Sequence, residues 1–194
     1  MTKEFTDFSD LVASIRSRLA CADEAREDVE PSNESDAPLR RAAVALVLRR
    51  NLSGAEMLVI KRSVSERDHW SGHLALPGGR VEGGDASLLA AAVRETFEEV
   101  GVNLEAGGEV LGRLGVVEPK SPLAPRVSVA PFVAVAPAEY HVRREEEVTP
   151  PLVLSEEVAA AFWVPVSKLR EGGRSDVFKM AFAGVEREWP AYPS

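Results

Sequence analysis

The sequence predicts a layered domain of the α/β or α+β class, in which a sheet packs against helices. Two observations lead to this prediction. Several short apolar runs are separated by turn residues, as in a β-sheet, and one strongly periodic segment over residues 85–101 is typical of a central helix. The chain has 194 residues, of which 45% are hydrophobic and 28% charged, which fits one globular domain with a substantial core.

The chain divides into three predicted regions. Apolar side chains recur with a helical period over residues 5–20, so residues 1–20 are predicted to contain an amphipathic helix. Residues 21–38 hold seven acidic side chains against one arginine and predict a mobile linker. Residues 39–194 then form the main domain. Because Cys21 is the only cysteine, an internal disulfide is excluded and a reducing compartment is indicated.

The main domain is predicted to alternate strands with few helices. A buried strand over residues 40–50 and its hairpin partner over 55–63 flank a turn at 51–54. The other predicted elements, in chain order, are a short apolar run at 74–76, strands at 108–119 and 126–137, a polar loop at 138–154, a strand ending at Pro165 with a helical turn after it, and a C-terminal hairpin.

The central helix has recognisable ends and an apolar inner face. Asp85 is the predicted N-cap, and Gly101 stands where a left-handed C-cap is expected. The predicted inner face consists of Leu89, Ala92, Val93, Thr96 and Val100.

Three carboxylates share one face of this helix. Glu95, Glu98 and Glu99 lie three and four residues apart, and like charges at that spacing are destabilising unless something neutralises them. Arg94 can pair with Glu98, which leaves two carboxylates. Because Mg2+ and Mn2+ prefer oxygen ligands, the cluster predicts a site for one of these ions. The alternative is a solvated acidic face with one ion pair.

Glycines precede the helix at positions 78, 79, 83 and 84. They would allow a tight turn and a close approach of the backbone to a ligand. Their amides, together with the helix N-terminus, would also suit an anion such as a phosphate. Gly78 and Gly79 are therefore predicted to bind substrate.

Residues 79–102 resemble the Nudix box, whose pattern is G-x5-E-x7-R-E-U-x-E-E-x-G-U with U a bulky apolar residue. The segment "RETFEEVGV" supplies the R-E, E-E and G-U positions from Arg94 to Val102. Three departures stand out: Asp85 replaces the first glutamate, eight residues rather than seven separate it from Arg94, and Thr96 replaces an aliphatic residue.

This resemblance implies an α/β/α sandwich with a mixed β-sheet and a central catalytic helix. It implies that Glu95, Glu98 and Glu99 bind Mg2+ or Mn2+ and, with Arg94, form the catalytic group. Asp85 or Glu82 would supply a fourth acid. The general base would be one of the box glutamates or an acid within residues 145–157, where Glu156 and Glu157 are favoured by their position.

The segments "MLVIKRS" (57–63) and "GHLALPGG" (72–79) are similar to the coenzyme A pyrophosphatase branch of this family. Leu76 replaces a phenylalanine of that branch, and the spacing from Arg67 to Gly72 is one residue longer. The resemblance implies cleavage of coenzyme A into 3',5'-ADP and 4'-phosphopantetheine, with Lys61, Arg62 and Arg67 binding the substrate. The alternatives are ADP-ribose-like or dNTP substrates, or a non-catalytic nucleotide-binding domain.

The charge and hydropathy restrict the partners. A net charge of -8 argues against nonspecific binding to nucleic acid. No signal peptide and no apolar run of membrane-spanning length is present, so we expect a cytoplasmic protein that does not bind membranes. Nudix chains commonly end in a helix that covers the sheet, and "WPAYPS" is not helical in pattern. Either the chain is a shortened version of the family pattern, or that layer comes from elsewhere, such as the N-terminal helix or the second subunit of a homodimer.

Overall fold

The computed structural model describes residues 7–23, 40–65, 71–118, 127–171, 176–182 and 185–191. Side chains are described for residues 7–20, 40–65, 71–118 and 127–169. The predicted linker therefore lies mostly outside the described residues, although the first helix extends three residues into it. No helix among the described residues is both long enough and apolar enough to cross a bilayer.

The helices and strands follow the order that the sequence predicts, with one additional strand before the central helix. The helices are α1 (Phe8–Asp23), α2 (Leu88–Val100) and α3 (Val166–Glu171), with a 3-10 turn at Ala138–Tyr140. The strands are β1 (Arg40–Asn51), β2 (Gly54–Arg62), β3 (Leu74–Ala75), β4 (Gly78–Arg80), β5 (Glu109–Arg113), β6 (Val127–Val135), β7 (Val158–Pro165), β8 (Asp176–Phe182) and β9 (Val185–Ala191).

Strands β1 to β7 form one mixed sheet, and β8 and β9 form a separate hairpin. β1 lies at the centre of the sheet, parallel to β6 and antiparallel to β2 and β4. β2 pairs in turn with β3 and β7, and β5 pairs with the far side of β6. The first half of β1 therefore pairs with β4 and its second half with β2.

Both faces of the sheet are covered by helices. Alternate residues of β1 point to opposite faces, as the pleat requires. Ala43, Ala45 and Val47 belong to the core shared with α2, whereas Leu46 and Leu48 belong to the core shared with α1. The predicted α/β/α sandwich with a mixed sheet is confirmed.

Helix α1 lies on the face opposite α2, where it packs against β5. Leu19 is buried there, and a side chain at Gly112 would place its Cβ 2.9 Å from the Leu19 Cβ. Gly112 has a φ of 145°, so glycine is favoured at this position for both reasons. Arg16 of the same helix pairs with Glu109 of β5. The N-terminal helix thus supplies a covering layer, which is one of the alternatives expected from the sequence.

Helix α2 begins two residues later than the N-cap prediction places it. Ser87 is the N-cap, and its hydroxyl accepts a hydrogen bond of 3.0 Å from the amide of Ala90. The prediction of Asp85 as the cap was wrong because the Asp85 carboxylate is held by Arg94 instead. The predicted end is confirmed: Gly101 has a φ of 74° and its amide donates to the Phe97 carbonyl.

The segment before α2 contains a strand that the sequence does not predict. Gly78–Arg80 pairs antiparallel with Ala42–Val44 of β1 as strand β4. Gly78 has a φ of 149°, and a Cβ on it would lie 2.4 Å from the carbonyl oxygen of Ala43. Gly78 is therefore required for the close approach of β4 to β1. A Cβ at Gly83 or Gly84 would meet open space.

Candidate active site

Arg94 is the centre of the candidate site. Its guanidinium donates two hydrogen bonds to Asp85, from Nε to Oδ1 at 2.9 Å and from Nη2 to Oδ2 at 3.0 Å. Nη1 lies 2.9 Å from Glu98 Oε2 and 3.1 Å from Glu95 Oε1. Nη2 also donates to the carbonyl of Arg80 in β4. One arginine thus fixes two helix carboxylates relative to the loop and strand that precede the helix.

Both carboxylate oxygens of Asp85 bind Arg94. The Arg94 hydrogen bonds, followed by one from the Glu82 amide, hold the pKa of Asp85 at about 2, so the carboxylate stays ionised. The Glu82 amide donates to Asp85 Oδ2 at 2.8 Å, and the Glu82 side chain is exposed. Each Asp85 oxygen already accepts a hydrogen bond from Arg94. Asp85 therefore organises the site, and its role as a fourth metal-binding acid remains a prediction, as does that of Glu82.

Glu99 is the most buried carboxylate of the cluster, with 4% of its surface exposed. Its Oε2 accepts a 2.8 Å hydrogen bond from the amide of Gly78, and its Oε1 lies 3.9 Å from Arg62 Nη1. Burial raises the pKa of Glu99 to about 7, since these contacts only partly offset the loss of water. A carboxylate in such surroundings is stabilised by a nearby cation.

Glu95 lies between Arg94 and strand β4, with 17% of its side chain exposed. A Cβ at Gly79 would lie 2.4 Å from Glu95 Oε1, so the absence of a side chain at Gly79 makes room for this carboxylate. Burial raises the pKa of Glu95, and the charge of Arg94 opposes that shift. The amide of Gly78 thus binds one carboxylate and Gly79 leaves room for another, while the binding of substrate by these glycines remains a prediction.

Glu98 is the exposed member of the cluster, with 55% of its side chain accessible to solvent. Within the described part of the chain, no three His, Cys, Asp or Glu side chains form a preformed metal-binding site. This arrangement fits an ion such as Mg2+, which typically takes one or two protein carboxylates and fills its other positions with water and phosphate oxygens. Glu95 and Glu99, with Glu98 at the solvent edge, would hold it.

The turn before β7 lies next to the end of α2 and carries two further acids. Glu156 and Glu157 are exposed in this turn, and the amide of Ser155 beside them donates to the carbonyl of Glu99 at 3.1 Å. The negative charge of Glu157 contributes to raising the pKa of both Glu95 and Glu99. The role of Glu156 or Glu157 as the general base remains a prediction.

The three predicted cationic substrate ligands have different positions. Arg62 reaches the carboxylate cluster, as its distance to Glu99 shows. Lys61 is exposed on β2, where it pairs in register with Leu74 of β3. Arg67 lies outside the described residues. The binding of substrate by these side chains remains a prediction.

The tertiary structure gives two residues roles that their sequence positions do not reveal. Asp85 was expected to cap a helix and instead holds Arg94. Ser63 contacts the Glu156–Glu157 turn, which is 93 residues away in sequence. Neither residue type nor spacing could have identified Ser63; the pairing of the two strand ends is the only signal, and it requires the β2–β7 register.

Comparison with known proteins agrees with this geometry. Residues 38–182 match the family model of the NUDIX domain. The uncharacterized Nudix hydrolase NudL of Enterobacter sp. (strain 638) is 36% identical over 142 residues, which cover 72% of this chain and 65% of the relative. The protein of the same name from Citrobacter koseri is 38% identical over 136 residues, which cover 70% and 62%. The chain thus spans less than two thirds of the length of these relatives.

Solved structures share the fold at lower identity. An Ap4A hydrolase from C. elegans, solved as a binary complex, superposes with a TM-score of 0.51 at 20% identity, covering 69% of this chain and 85% of the other. The Nudix hydrolase RenU from M. smegmatis has a TM-score of 0.50 at 22% identity, covering 67% and 73%. Because the family model covers most of the chain and includes the whole carboxylate cluster, this protein belongs to the Nudix family.

Proposed function

We propose that this protein is a divalent-metal-dependent hydrolase of the pyrophosphate bond in nucleoside diphosphates linked to another group. The observation that carries the proposal is the arrangement around Arg94, which holds Glu95 and Glu98 on one helix while the amide of Gly78 holds Glu99. This arrangement supports the proposal because it keeps three acidic residues of the Nudix box in defined positions beside β4. An acidic face with a purely structural role would not need one buried and one half-buried carboxylate.

The proposed reaction adds water to one phosphorus and breaks its bond to the bridging oxygen. When bound, Mg2+ or Mn2+ would neutralise charge on the pyrophosphate and lower the pKa of water. Glu95, Glu98 and Glu99 would hold the ion, and Arg94 would orient two of them. The proton of the attacking water would pass to a carboxylate near the cluster. Glu157 is our choice for this base, because its turn is hydrogen-bonded to the Glu99 backbone through Ser155, its charge acts on Glu95 and Glu99, and it does not belong to the helix that carries the proposed metal ligands.

Coenzyme A or one of its derivatives is the proposed substrate. The similarity of residues 57–63 and 72–79 to the coenzyme A pyrophosphatase branch supports this choice. Arg62 lies beside the carboxylates, where its positive charge would suit a phosphate of the substrate. Lys61 is the adjacent residue of the same strand and therefore lies on the other face of the sheet, so it supports the choice less directly. ADP-ribose-like compounds and dNTPs are the second substrate class.

The test is a substrate panel. The purified protein is incubated with Mg2+ or Mn2+ and coenzyme A, acetyl-coenzyme A, ADP-ribose, Ap4A or a dNTP, and the products are identified by mass. We expect 3',5'-ADP and 4'-phosphopantetheine from coenzyme A. Cleavage of another compound instead would keep the hydrolase and reject the coenzyme A assignment.

Matched variants test the role of the cluster. Glu98→Gln removes one charge from the proposed metal ligands and is expected to abolish hydrolysis. Glu105→Gln makes the same chemical change at an exposed position beyond α2 and should leave turnover unchanged. Unchanged turnover in Glu98→Gln would reject the metal assignment. No turnover by the wild-type protein with either ion would favour a nucleotide-binding domain without catalysis.

A further inference from the structure

Two hydrogen bonds from one serine hold the turn that carries Glu157. The hydroxyl of Ser63 donates to the carbonyl of Glu156 at 2.8 Å. The amide of Ser63 donates to the carbonyl of Glu157, also at 2.8 Å. Ser63 follows directly after β2, so these bonds tie the turn to the end of that strand.

The same turn is tied to the catalytic helix on its other side. The amide of Ser155 donates to the carbonyl of Glu99 at 3.1 Å, and the amide of Val153 donates to the carbonyl of Val100 at 3.0 Å. The last carbonyls of a helix lack partners within the helix, and this segment satisfies two of them. Residues 155–157 therefore bridge α2 and β2, with Glu99 at one end and Ser63 at the other.

A bulge in the sheet creates this pairing. Lys61 lies opposite Ala160, but Arg62 lies opposite Val158, so Ala159 is an extra residue on β7. If Ala159 were paired with Arg62 in an unbroken register, Ser63 would lie opposite Val158. The bulge instead brings Ser63 to Glu157, and bulges of this kind commonly redirect side chains beside active sites.

We propose that Ser63 is a positioning residue whose hydroxyl fixes Glu157 relative to the carboxylates of α2. The inference rests on the proposed function, because it assigns Glu157 to the same reaction. Of the four hydrogen bonds described above, three are donated by backbone amides, and the fourth is donated by the Ser63 hydroxyl. The hydrogen bond from the Ser63 backbone amide to the Glu157 carbonyl does not depend on the side chain at position 63. Loss of the hydroxyl should therefore loosen the turn while leaving it attached to the end of β2.

A double-mutant cycle tests this relationship. Ser63→Ala is expected to lower kcat by about tenfold to a hundredfold, as is typical when a group that orients an active-site ligand is removed. KM should change little, and Ser63→Thr, which keeps the hydroxyl, should restore kcat. In the background of Glu157→Gln, the same Ser63→Ala change should alter kcat by less than about twofold, because its effect passes through Glu157. Ser53→Ala, in the turn at the other end of β2, is the matched control.

Calorimetric titration with Mn2+ alone provides a readout without substrate. Glu157 is not a proposed ligand, but its negative charge acts on Glu95 and Glu99, so Ser63→Ala and Glu157→Gln should each weaken Mn2+ binding. The double variant should bind Mn2+ no more weakly than Glu157→Gln. If the effects of the two changes are additive, or if Ser63→Ala behaves like Ser53→Ala, the inference is overturned. This titration tests the role of Ser63 even if the wild-type protein cleaves nothing in the panel. That outcome would reject the proposed function but not the role of Ser63.

Discussion

The Asp85 carboxylate and the Arg94 guanidinium form two parallel hydrogen bonds, of 2.9 and 3.0 Å, across the junction between the preceding loop and helix α2. Only 5% of the Asp85 side chain and 25% of the Arg94 side chain are exposed. Aspartate has a shorter side chain than the glutamate of the family pattern, and the loop here is one residue longer. The structure shows that this combination still delivers a carboxylate to the arginine.

Replacing Arg94 with lysine should therefore impair the site although the charge is kept. An ammonium group cannot form the paired hydrogen bonds to Asp85 while also reaching Glu98 and the Arg80 carbonyl. We expect kcat to fall by about tenfold to a hundredfold. Arg144→Lys, at an exposed position in the polar loop, is the control and should leave kcat unchanged. Equal activity in the two variants would show that the geometry of Arg94 is dispensable.

Gly79 should be intolerant of a methyl group, unlike Gly83. The new Cβ in Gly79→Ala would displace the end of the Glu95 side chain, which is flexible, so the protein should still fold. We expect Mn2+ affinity to fall by about tenfold or more, because a proposed ligand is moved. In Gly83→Ala the new Cβ meets open space, and affinity should be retained. Calorimetric titration of both variants checks this, and identical affinities would remove Glu95 from the proposed metal site.

The sequence predicts those features of the molecule that depend on local pattern. The apolar run flanked by arginines over residues 40–50 predicts β1, and the spacing of Glu95, Glu98 and Glu99 predicts one acidic face. Strand β4 escapes prediction because three residues with two glycines carry no strand signal, and only contact with β1 makes them a strand. The N-cap is mistaken because Asp85 and Ser87 are both good caps, and tertiary contact with Arg94 decides between them.

The buried pair of Arg49 and Glu56 is a second feature that the local sequence pattern does not predict. Their side chains are 11% and 8% exposed, and the Arg49 guanidinium also lies 4.4 Å from the centre of the Trp163 ring. Asn51 donates a further hydrogen bond to Glu56. Charged residues in a strand ordinarily indicate an exposed position. Their burial follows from the hairpin register and from β7, neither of which can be derived from residue type alone.

His141 should make stability depend on pH on the acidic side of neutrality. Its Nδ1 accepts from the Arg50 amide and its Nε2 lies 2.9 Å from the Ala136 carbonyl, which suits a neutral ring protonated at Nε2. Burial lowers the pKa of His141 below its ordinary value of 6.5. The unfolded chain therefore gains a proton first as the pH falls through 6.5, and the free energy of unfolding decreases.

The measurement compares urea unfolding at about pH 7 and about pH 5.5 in the wild-type protein and in His141→Gln. Glu99, whose pKa is about 7, acts in the opposite direction over this window because protonation relieves its burial. That contribution is common to both proteins, so their difference isolates His141. We expect the wild-type protein to lose more stability on acidification than the variant does. The same pH dependence in both would show that His141 does not titrate differently on folding.

Helix α1 should contribute to the stability of the whole domain, because it covers one face of the sheet. Leu19 is 5% exposed and contacts Gly112 of β5, whereas Leu52, in the turn between β1 and β2, is 54% exposed. Leu19→Ala is expected to lower the free energy of unfolding by about 2 to 5 kcal/mol, as for other buried leucines. Leu52→Ala should change it by less than about 0.5 kcal/mol. Urea denaturation followed by circular dichroism measures both, and equal stability would mean that α1 does not dock on the sheet in solution.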